Sequence, residues 1–120
     1  MIRRVAKNSS DALPERGSIV WLDFSPHAGH EQAGRRPAIV LTPRVYHEVT
    51  HKAVVCPITS TERGWPTEVK LPSGLPVSGV VLVDEVRSVD RAARHMKITG
   101  EAPQDVLDEI GARLAPLLSL

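Results

Sequence analysis

A short polar segment directly before an apolar run holds the side chains with the clearest chemical potential. Glu31, Arg35 and Arg36 precede Pro37 and the apolar residues 38–41. The planar guanidinium of arginine can bind a phosphate through two parallel N–H donors, and a carboxylate can accept a proton. The segment therefore predicts a site for a phosphate group at the start of a strand. The alternative is that the two arginines only form salt bridges there.

Hydroxyl groups follow a second apolar run. Thr59, Ser60 and Thr61 come directly after residues 52–58, and Asp23 ends a run of its own. If these ends converge, arginine, glutamate and hydroxyls without a metal would suit cleavage of RNA. RNA supplies its own 2′-hydroxyl nucleophile, so the protein needs only a proton acceptor, cations and hydrogen-bond donors. The sequence allows this convergence but does not establish it.

The histidines do not form a convincing metal motif. His27, His30 and Glu31 follow the pattern H-x-x-H-E in a loop, and His47 and His51 are four residues apart. Zinc sites require a supporting frame and a further ligand, so all four histidines are predicted to lie in surface loops. The chain also lacks a G-x-S-x-G motif and a glycine-rich phosphate loop followed by lysine. We therefore expect no metal and no cofactor.

Composition indicates one ordinary globular domain. The chain has 120 residues, of which 42% are hydrophobic and 24% charged, and its net charge is +1. Cys56 is the single cysteine and lies in an apolar run, so we predict a buried structural thiol in a reducing compartment. There is no signal-peptide pattern, and no run approaches the about 20 apolar residues of a membrane span. A soluble, cytoplasmic protein is expected.

The elements that must position these groups are mainly short strands. Residues 1–15 are polar and predict a flexible arm, and residues 16–120 form the single domain. Alternation would place Ile19, Trp21 and Asp23 on one face of the first strand and Val20, Leu22 and Phe24 on the other. Residues 43–51 are predicted to be a turn or irregular link. Strands are predicted over residues 17–24, 37–42, 52–59, 67–71, 80–89 (bent near Asp84) and 94–100.

The C-terminal segment has helical spacing. Its apolar residues predict one buried stripe, with Pro103 at the first helical position and Pro116 limiting the helix. Five to seven short strands closed by one helix indicate a mainly β (α+β) fold. We expect a small, strongly bent sheet or barrel packed on that helix.

Four segments in order carry a resemblance to a known family. They are GSIVWLDFSP (17–26), EQAGRRPAIVLTP (31–43), VVCPITST (54–61) with GWPTEV (64–69), and GVVLVDEVRSVD (79–90). The combination E-Q-x-G-x-R-P, a strand and then P-x-T-[ST] is specific. Over about residues 16–118 the sequence resembles the MazF/PemK family of toxin endoribonucleases from bacterial type II toxin–antitoxin systems.

The resemblance implies a CcdB/MazF-like, SH3-like barrel with a C-terminal helix. It further implies a homodimer that binds single-stranded RNA along its interface and a cognate MazE-like antitoxin that occupies the same groove. Cleavage would be sequence-specific, independent of metals and ribosomes, and would leave 2′,3′-cyclic phosphate and 5′-hydroxyl ends, inhibiting translation and growth. The alternative is a non-catalytic toxin of the same fold that binds and poisons DNA gyrase. A third reading is a binding regulator with a degenerate site.

The resemblance also implies roles for individual residues. The family's arginine falls on Arg36, its threonine on Thr59 and its glutamate on Glu31. Arg36 would neutralise the scissile phosphate, and Thr59 would donate a hydrogen bond to it. Glu31 would accept a proton, or else orient Arg36 or a base. The histidine pair His27 and His30 is an alternative catalytic pair.

The remaining site residues would bind the substrate. Arg35 adds a positive charge that relatives need not share, and Trp65 would either read a base or be a half-buried core residue. Because the loops over residues 25–35 and 60–66 differ in detail, no cleavage sequence carries over from the family. The expected substrate-binding residues are Asp23, Phe24, His30, Gln32, Arg35, Ser60, Thr61 and Trp65.

Overall fold

A computed structural model describes residues 12–24, 29 and 34–120. Two α-helices are present among them, α1 (Arg44–Val49) and α2 (Gln104–Leu117), with a single 3-10 turn at Val83–Glu85. The strands are β1 (Ser18–Asp23), β2 (Arg35–Val40), β3 (Lys52–Thr59), β4 (Glu68–Lys70), β5 (Val80–Leu82), β6 (Arg87–Asp90) and β7 (Lys97–Glu101).

Strand β3 organises a seven-stranded antiparallel sheet. The order is β4-β5-β3-β2-β1-β7, and β6 also pairs with β3. Val55 pairs with Val40 of β2 and with Arg87 of β6, so both edges of β3 are used. Further along, Ile58 and Thr59 pair with β5. The predicted mainly β fold of five to seven strands with a C-terminal helix is confirmed.

The sheet is buried on both faces, which gives two cores. One core lies on the side of helix α2 (the helix-side core) and the other on the opposite face (the inner core). The alternation predicted for β1 is confirmed, because Ile19 lies in the helix-side core and Val20, Leu22 and Phe24 lie in the inner core. Trp21 is exposed. The helix-side core contains Ile19, Ile39, Cys56, Ile58, Val69, Leu71, Val77, Val81, Val83, Val106, Leu107 and Ile110. The inner core contains Val20, Leu22, Phe24, Ala38, Val40, Ala53, Val55, Val89 and Met96.

Cys56 is the buried structural thiol that its apolar surroundings predict. It is fully buried in the helix-side core, and burial raises the pKa of its thiol to about 12. Because the thiolate is the reactive form, a thiol with so high a pKa is inert near neutral pH.

Three predicted strands differ from the observed ones by more than one residue. Strand β2 begins at Arg35 instead of residue 37, because Arg35 and Arg36 pair with Asp23 and Leu22 of β1. The predicted strand over residues 80–89 is divided by the 3-10 turn, which confirms the bend near Asp84. The last strand begins at residue 97 instead of 94, because residues 91–95 form a turn.

The prediction for residues 43–51 is wrong, since Arg44–Val49 form helix α1. His47 is 2% exposed and not a surface residue, whereas His51 is exposed. The His47 ring bridges two segments: Nδ1 is 2.8 Å from the carbonyl oxygen of Pro14, and Nε2 is 2.7 Å from Oγ1 of Thr42. These tertiary hydrogen bonds hold a helix that is too short to be stable alone.

The C-terminal helix follows its predicted stripe, with Val106, Leu107 and Ile110 buried. Pro103 is the N-cap and not the first helical residue, and Pro116 lies inside the last turn, so it limits the helix without stopping it at once. Among the described residues, no helix is long and apolar enough to cross a membrane.

The end of the predicted arm is attached to the domain. Pro14 is buried, and its carbonyl oxygen forms a hydrogen bond with the His47 ring. Glu15 forms a 3.1 Å salt bridge with Arg44. Residues 1–11 lie outside the described residues, so the arm and the domain boundary stay predictions.

The burial of His47 predicts a pH dependence of stability. Burial lowers the pKa of His47 below its ordinary value. The unfolded chain therefore binds a proton at higher pH than the folded chain, and the free energy of unfolding should fall as pH decreases below about 6.5. Urea unfolding between pH 7.5 and 5.5 measures this slope. His47→Gln removes the titrating group and should show a smaller slope; equal slopes would contradict the assignment.

Gly79 predicts a second stability effect. It has φ +120°, and an added Cβ would overlap the Thr59 carbonyl oxygen. Gly74 is a matched control, because it has φ +92° but nothing within 4 Å of an added Cβ. Gly74→Ala should cost about 1 kcal/mol from backbone strain, and Gly79→Ala about 2 kcal/mol more from the overlap. Urea midpoints check this difference, and equal losses would disprove the contact.

Candidate active site

The β2–β3 register brings Arg36 and Thr59 together. Ala38 pairs with Pro57, so two residues further along the same register Arg36 lies opposite Thr59, just beyond the last paired residues. Arg36 also pairs with Leu22, which lies in the inner core. Because side chains alternate along a strand, Arg36 and Thr59 belong to the same face of the sheet. The predicted convergence of these two residues therefore follows from the strand pairing.

Thr59 is held in a defined position. It is 6% exposed, and its Oγ1 accepts a hydrogen bond from the Thr61 N–H at 3.2 Å. Its carbonyl group packs against Gly79. A hydroxyl that accepts one bond still has its own O–H to donate. Thr59 can therefore act as the fixed donor that its predicted role requires, while Ser60 and Thr61 are exposed beside it.

Arg36 lines an open cleft of about 410 Å³, which we call the Arg36 cleft. It combines two arginines and the Ser60 hydroxyl with an apolar wall. Thr59 does not line it, and Pro37 and Ile58 lie by strand alternation on the face opposite to Thr59, so the cleft adjoins the Arg36–Thr59 pair but does not contain it. Trp21 is 37% exposed here. The complete lining is Trp21, Arg35, Arg36, Pro37, Ile58, Ser60, Leu75, Pro76, Val77 and Ser78.

Asp23 and Arg35 form a charged cluster with His95. Arg35 Nη1 lies 3.2 Å from Asp23 Oδ1, and His95 Nδ1 lies 2.8 Å from Asp23 Oδ2. Arg35 Nη2 donates to the His95 carbonyl oxygen at 3.0 Å. The hydrogen bonds from His95 and Arg35 lower the pKa of the Asp23 carboxyl below its ordinary value. Asp23 is therefore an anion at neutral pH that compensates the Arg35 charge.

A buried carboxylate shapes the loop after Thr59. Glu68 is 7% exposed, and its Oε1 accepts hydrogen bonds from the N–H groups of Arg63 and Gly64 at 3.1 and 3.0 Å. Its Oε2 has no hydrogen-bond partner in the part of the chain that the structure describes. These bonds fix the loop that carries Trp65, whose ring is half exposed and lies 5.3 Å from the Arg63 guanidinium carbon. Trp65 is therefore a loop residue and not part of the core.

Trp65 and Phe24 line a second cleft of about 440 Å³, the Trp65 cleft. Phe24 is 1% exposed, so it contributes to the floor, with the Arg87 guanidinium carbon 5.6 Å from its ring centroid. The other lining residues are Pro57, Arg63, Asp84, Glu85, Val86 and Arg87.

Several predicted site residues lie outside the described residues. These are Glu31, Gln32 and His30, together with His27 of the alternative histidine pair. Their roles stay predictions. Among the described residues, no group of three His, Cys, Asp or Glu side chains could hold a metal ion.

Three contributors were missed by sequence reasoning. His95 contacts Asp23 across 72 residues, a separation that no local pattern reveals. Glu68 falls in a strand predicted to alternate, although both Glu68 and Val69 are buried. The available signal is a carboxylate directly after a loop, because backbone N–H groups of a loop need hydrogen-bond acceptors. Arg87 falls in the predicted strand that bends near Asp84, and no pattern indicates that it would face Phe24.

Known proteins are similar to this chain in sequence and in architecture. Residues 15–118 match the model of the PemK-like, MazF-like toxin of type II toxin–antitoxin systems. Endoribonuclease toxin MazF of Escherichia coli K12 is 39% identical over 106 residues, which cover 88% of this chain and 95% of that protein. The crystal structure of MazF (Form-I) from Deinococcus radiodurans has a TM-score of 0.88 and 51% identity, covering 92% of this chain and 100% of that one.

A structure of a complex is also similar. The crystal structure of MazE-MazF (Form-II) from Deinococcus radiodurans has a TM-score of 0.83 and 51% identity, and covers 92% of this chain and 99% of that one. The family model spans nearly the whole chain, and these relatives match it over almost their full length. The chain therefore belongs to the PemK-like, MazF-like family of toxins of type II toxin–antitoxin systems.

Proposed function

We propose that this endoribonuclease toxin cuts single-stranded RNA at a short sequence, without a metal or a ribosome, and leaves 2′,3′-cyclic phosphate and 5′-hydroxyl ends. The observation that carries the proposal is the position of Arg36 opposite Thr59 on one face of two paired strands. A cation and a hydroxyl donor held by rigid strands can stabilise charge that develops on a phosphate. Cleavage of cellular mRNA in the cytoplasm would then inhibit translation and growth.

In this mechanism the 2′-oxygen of RNA attacks the adjacent phosphorus, and the bond from phosphorus to the 5′-oxygen breaks. The guanidinium of Arg36 pairs with a non-bridging oxygen, and Thr59 Oγ donates a hydrogen bond to the phosphate. The 2′-hydroxyl proton passes to an acceptor, for which we propose Glu31, and solvent water gives a proton to the leaving 5′-oxygen. Because the substrate contains its own nucleophile, positioning and charge stabilisation suffice.

Base recognition is assigned to the loop after Thr59. The half-exposed Trp65 ring can stack on an unpaired base, which is how proteins commonly read single-stranded RNA. Glu68 and Arg63 hold that ring and its loop in place, so the ring is oriented before RNA arrives. Ser60 and Thr61, both exposed, offer hydroxyls to bases or phosphates nearby.

The same surface is proposed to bind the cognate antitoxin. The similar Deinococcus radiodurans structure is named as a MazE-MazF complex, and an antitoxin that covers the clefts would exclude RNA. We further propose a homodimer, in which a second copy completes the groove for the RNA strand.

Poisoning of DNA gyrase is not favoured. The curated relatives are named endoribonucleases, and a clamp on a protein target would not require Arg36 opposite Thr59. Incubation of the pure protein with long single-stranded RNA in excess EDTA separates the two activities. Discrete cuts with 2′,3′-cyclic phosphate ends support the nuclease; intact RNA together with a stable gyrase complex would support the alternative.

Replacement of Arg36 should remove cleavage and leave the fold intact. Loss of the charge that binds the scissile phosphate should lower kcat about 10³-fold in Arg36→Ala. Gel analysis of RNA cleavage measures the rate, and circular dichroism checks the fold. Arg16→Ala is the matched control, because Arg16 is exposed and precedes β1 at the end opposite Asp23. Full activity in folded Arg36→Ala would refute the assignment.

Thr59 should respond to loss of its hydroxyl more than to loss of its methyl group. Thr59→Ser keeps the donor and should retain most of the activity, whereas Thr59→Val keeps the shape and should lower kcat about 10²-fold. Single-turnover rates on the same RNA compare the two variants. If Thr59→Val were as active as Thr59→Ser, the hydroxyl would have no part in the reaction.

A further inference from the structure

The Asp23–Arg35–His95 cluster joins three separate elements beside the proposed active site. Asp23 ends β1, Arg35 begins β2, and His95 lies in the turn between β6 and β7. Asp23 contacts the side chains of Arg35 and His95 at 3.2 and 2.8 Å, and the Arg35 guanidinium donates to the His95 backbone carbonyl at 3.0 Å. In addition, the Asp23 N–H donates to the Arg94 carbonyl oxygen at 2.9 Å. The turn is therefore attached to the end of the β1–β2 pair through both backbone and side chains.

Stability alone does not account for this arrangement. The side chains of Arg35, Asp23 and His95 are 42%, 38% and 73% exposed, and exposed ion pairs stabilise a fold weakly. His95 also has φ +54°, a conformation that is uncommon for residues other than glycine, although histidine adopts it more often than most. What the cluster does achieve is orientation, because it holds the guanidinium of Arg35 from two sides.

Arg35 lies at the junction of two clefts. It lines the Arg36 cleft and also a third cleft of about 370 Å³, which we call the Lys97 cleft. The Lys97 cleft combines the cationic residues Arg35, Arg91 and Lys97 with apolar residues, and its positive charge attracts a phosphate-linked nucleotide. Its lining is Ala12, Pro14, Arg35, Arg91, Ala92, His95, Met96, Lys97 and Ile98.

Arg35 keeps donors for a ligand in this arrangement. Its bonds to Asp23 and His95 use two of the five N–H groups of a guanidinium. Since adjacent residues of a strand face opposite sides, Arg35 and Arg36 extend from opposite faces at the start of β2, where an RNA strand that crosses the end of the sheet can meet both. The two arginines can therefore contact different phosphates.

We propose that His95 is a positioning residue that fixes Arg35 between the two clefts, so that Arg35 binds the RNA phosphate next to the one bound by Arg36. The Lys97 cleft then takes the flanking nucleotide. This inference rests on the proposed nuclease function. It gives Asp23 the role of holding Arg35 and not of contacting RNA directly.

Variants of His95 separate positioning from folding. His95→Gly accepts the positive φ and removes the imidazole that holds the Asp23 carboxylate. The turn and its carbonyl contact to Arg35 should persist, while Asp23 holds the Arg35 guanidinium less firmly. His95→Asn also tolerates this conformation and places an N–H where Nδ1 was. We expect His95→Gly to raise KM about fivefold with kcat within about twofold, and His95→Asn to restore KM. His51→Asn, at an exposed histidine outside the site, is the control and should match the wild type.

A double-mutant cycle tests whether His95 acts through Arg35. If it does, His95→Gly should have no further effect on KM in the Arg35→Ala background. The salt dependence of RNA binding gives a second measure. The RNA contains the cut site found in the cleavage assay, with a 2′-O-methyl group at that site to prevent cleavage. Loss of one phosphate contact to a single strand should reduce the slope of log K against log salt by about 0.7 in Arg35→Ala.

The outcomes distinguish the two proposals. A raised KM in His95→Gly that disappears in the Arg35→Ala background supports the positioning role. An unchanged KM in His95→Gly, or an equal effect in both backgrounds, overturns it even if the wild type cuts RNA. If the wild type neither cuts nor binds RNA, the proposed nuclease function itself fails.

Discussion

The pairing of β2 with β3 is the constraint on which the rest of the molecule depends. Residues 38–40 pair with residues 55–57, and the sheet is buried on both faces. A slip of one residue would turn every side chain of a strand to the opposite face. The apolar side chains of each core would then point to the wrong face of the sheet, and Arg36 would no longer lie opposite Thr59. The packing of apolar side chains therefore fixes the site geometry as well as the fold.

Local patterns in the sequence predict the parts of the fold that local forces decide. The alternation of β1, the bounds of β3 and the stripe of α2 need only side-chain periodicity and were confirmed. Helix α1 was missed because its stability comes from the bonds of His47 to Pro14 and Thr42. The same limit applies to the site: Arg36 and Thr59 could be named through a resemblance, but their proximity required the strand pairing. No local signature marks His95.

The adjacent arginines show how one dipeptide acquires two environments. Arg35 pairs with Asp23 and is charge-compensated at the surface. Arg36 lies opposite Leu22, at the edge of the inner core. A cation next to apolar side chains is less hydrated than one in open solvent, so it interacts more strongly with an incoming phosphate. The difference arises from alternation alone, since the two side chains are chemically identical.

Glu68 and Gly79 hold neighbouring parts of the chain by independent contacts. Gly79 packs against the backbone of Thr59, whereas Glu68 binds the backbone N–H groups of the loop that carries Trp65. Both contacts involve main-chain atoms of their partners, so neither depends on which side chains the loop carries. Loop side chains can thus diverge over evolutionary time without disturbing the residues that would break the phosphodiester bond. A scaffold of this kind can give rise to toxins that differ in the transcripts they attack but share one chemistry.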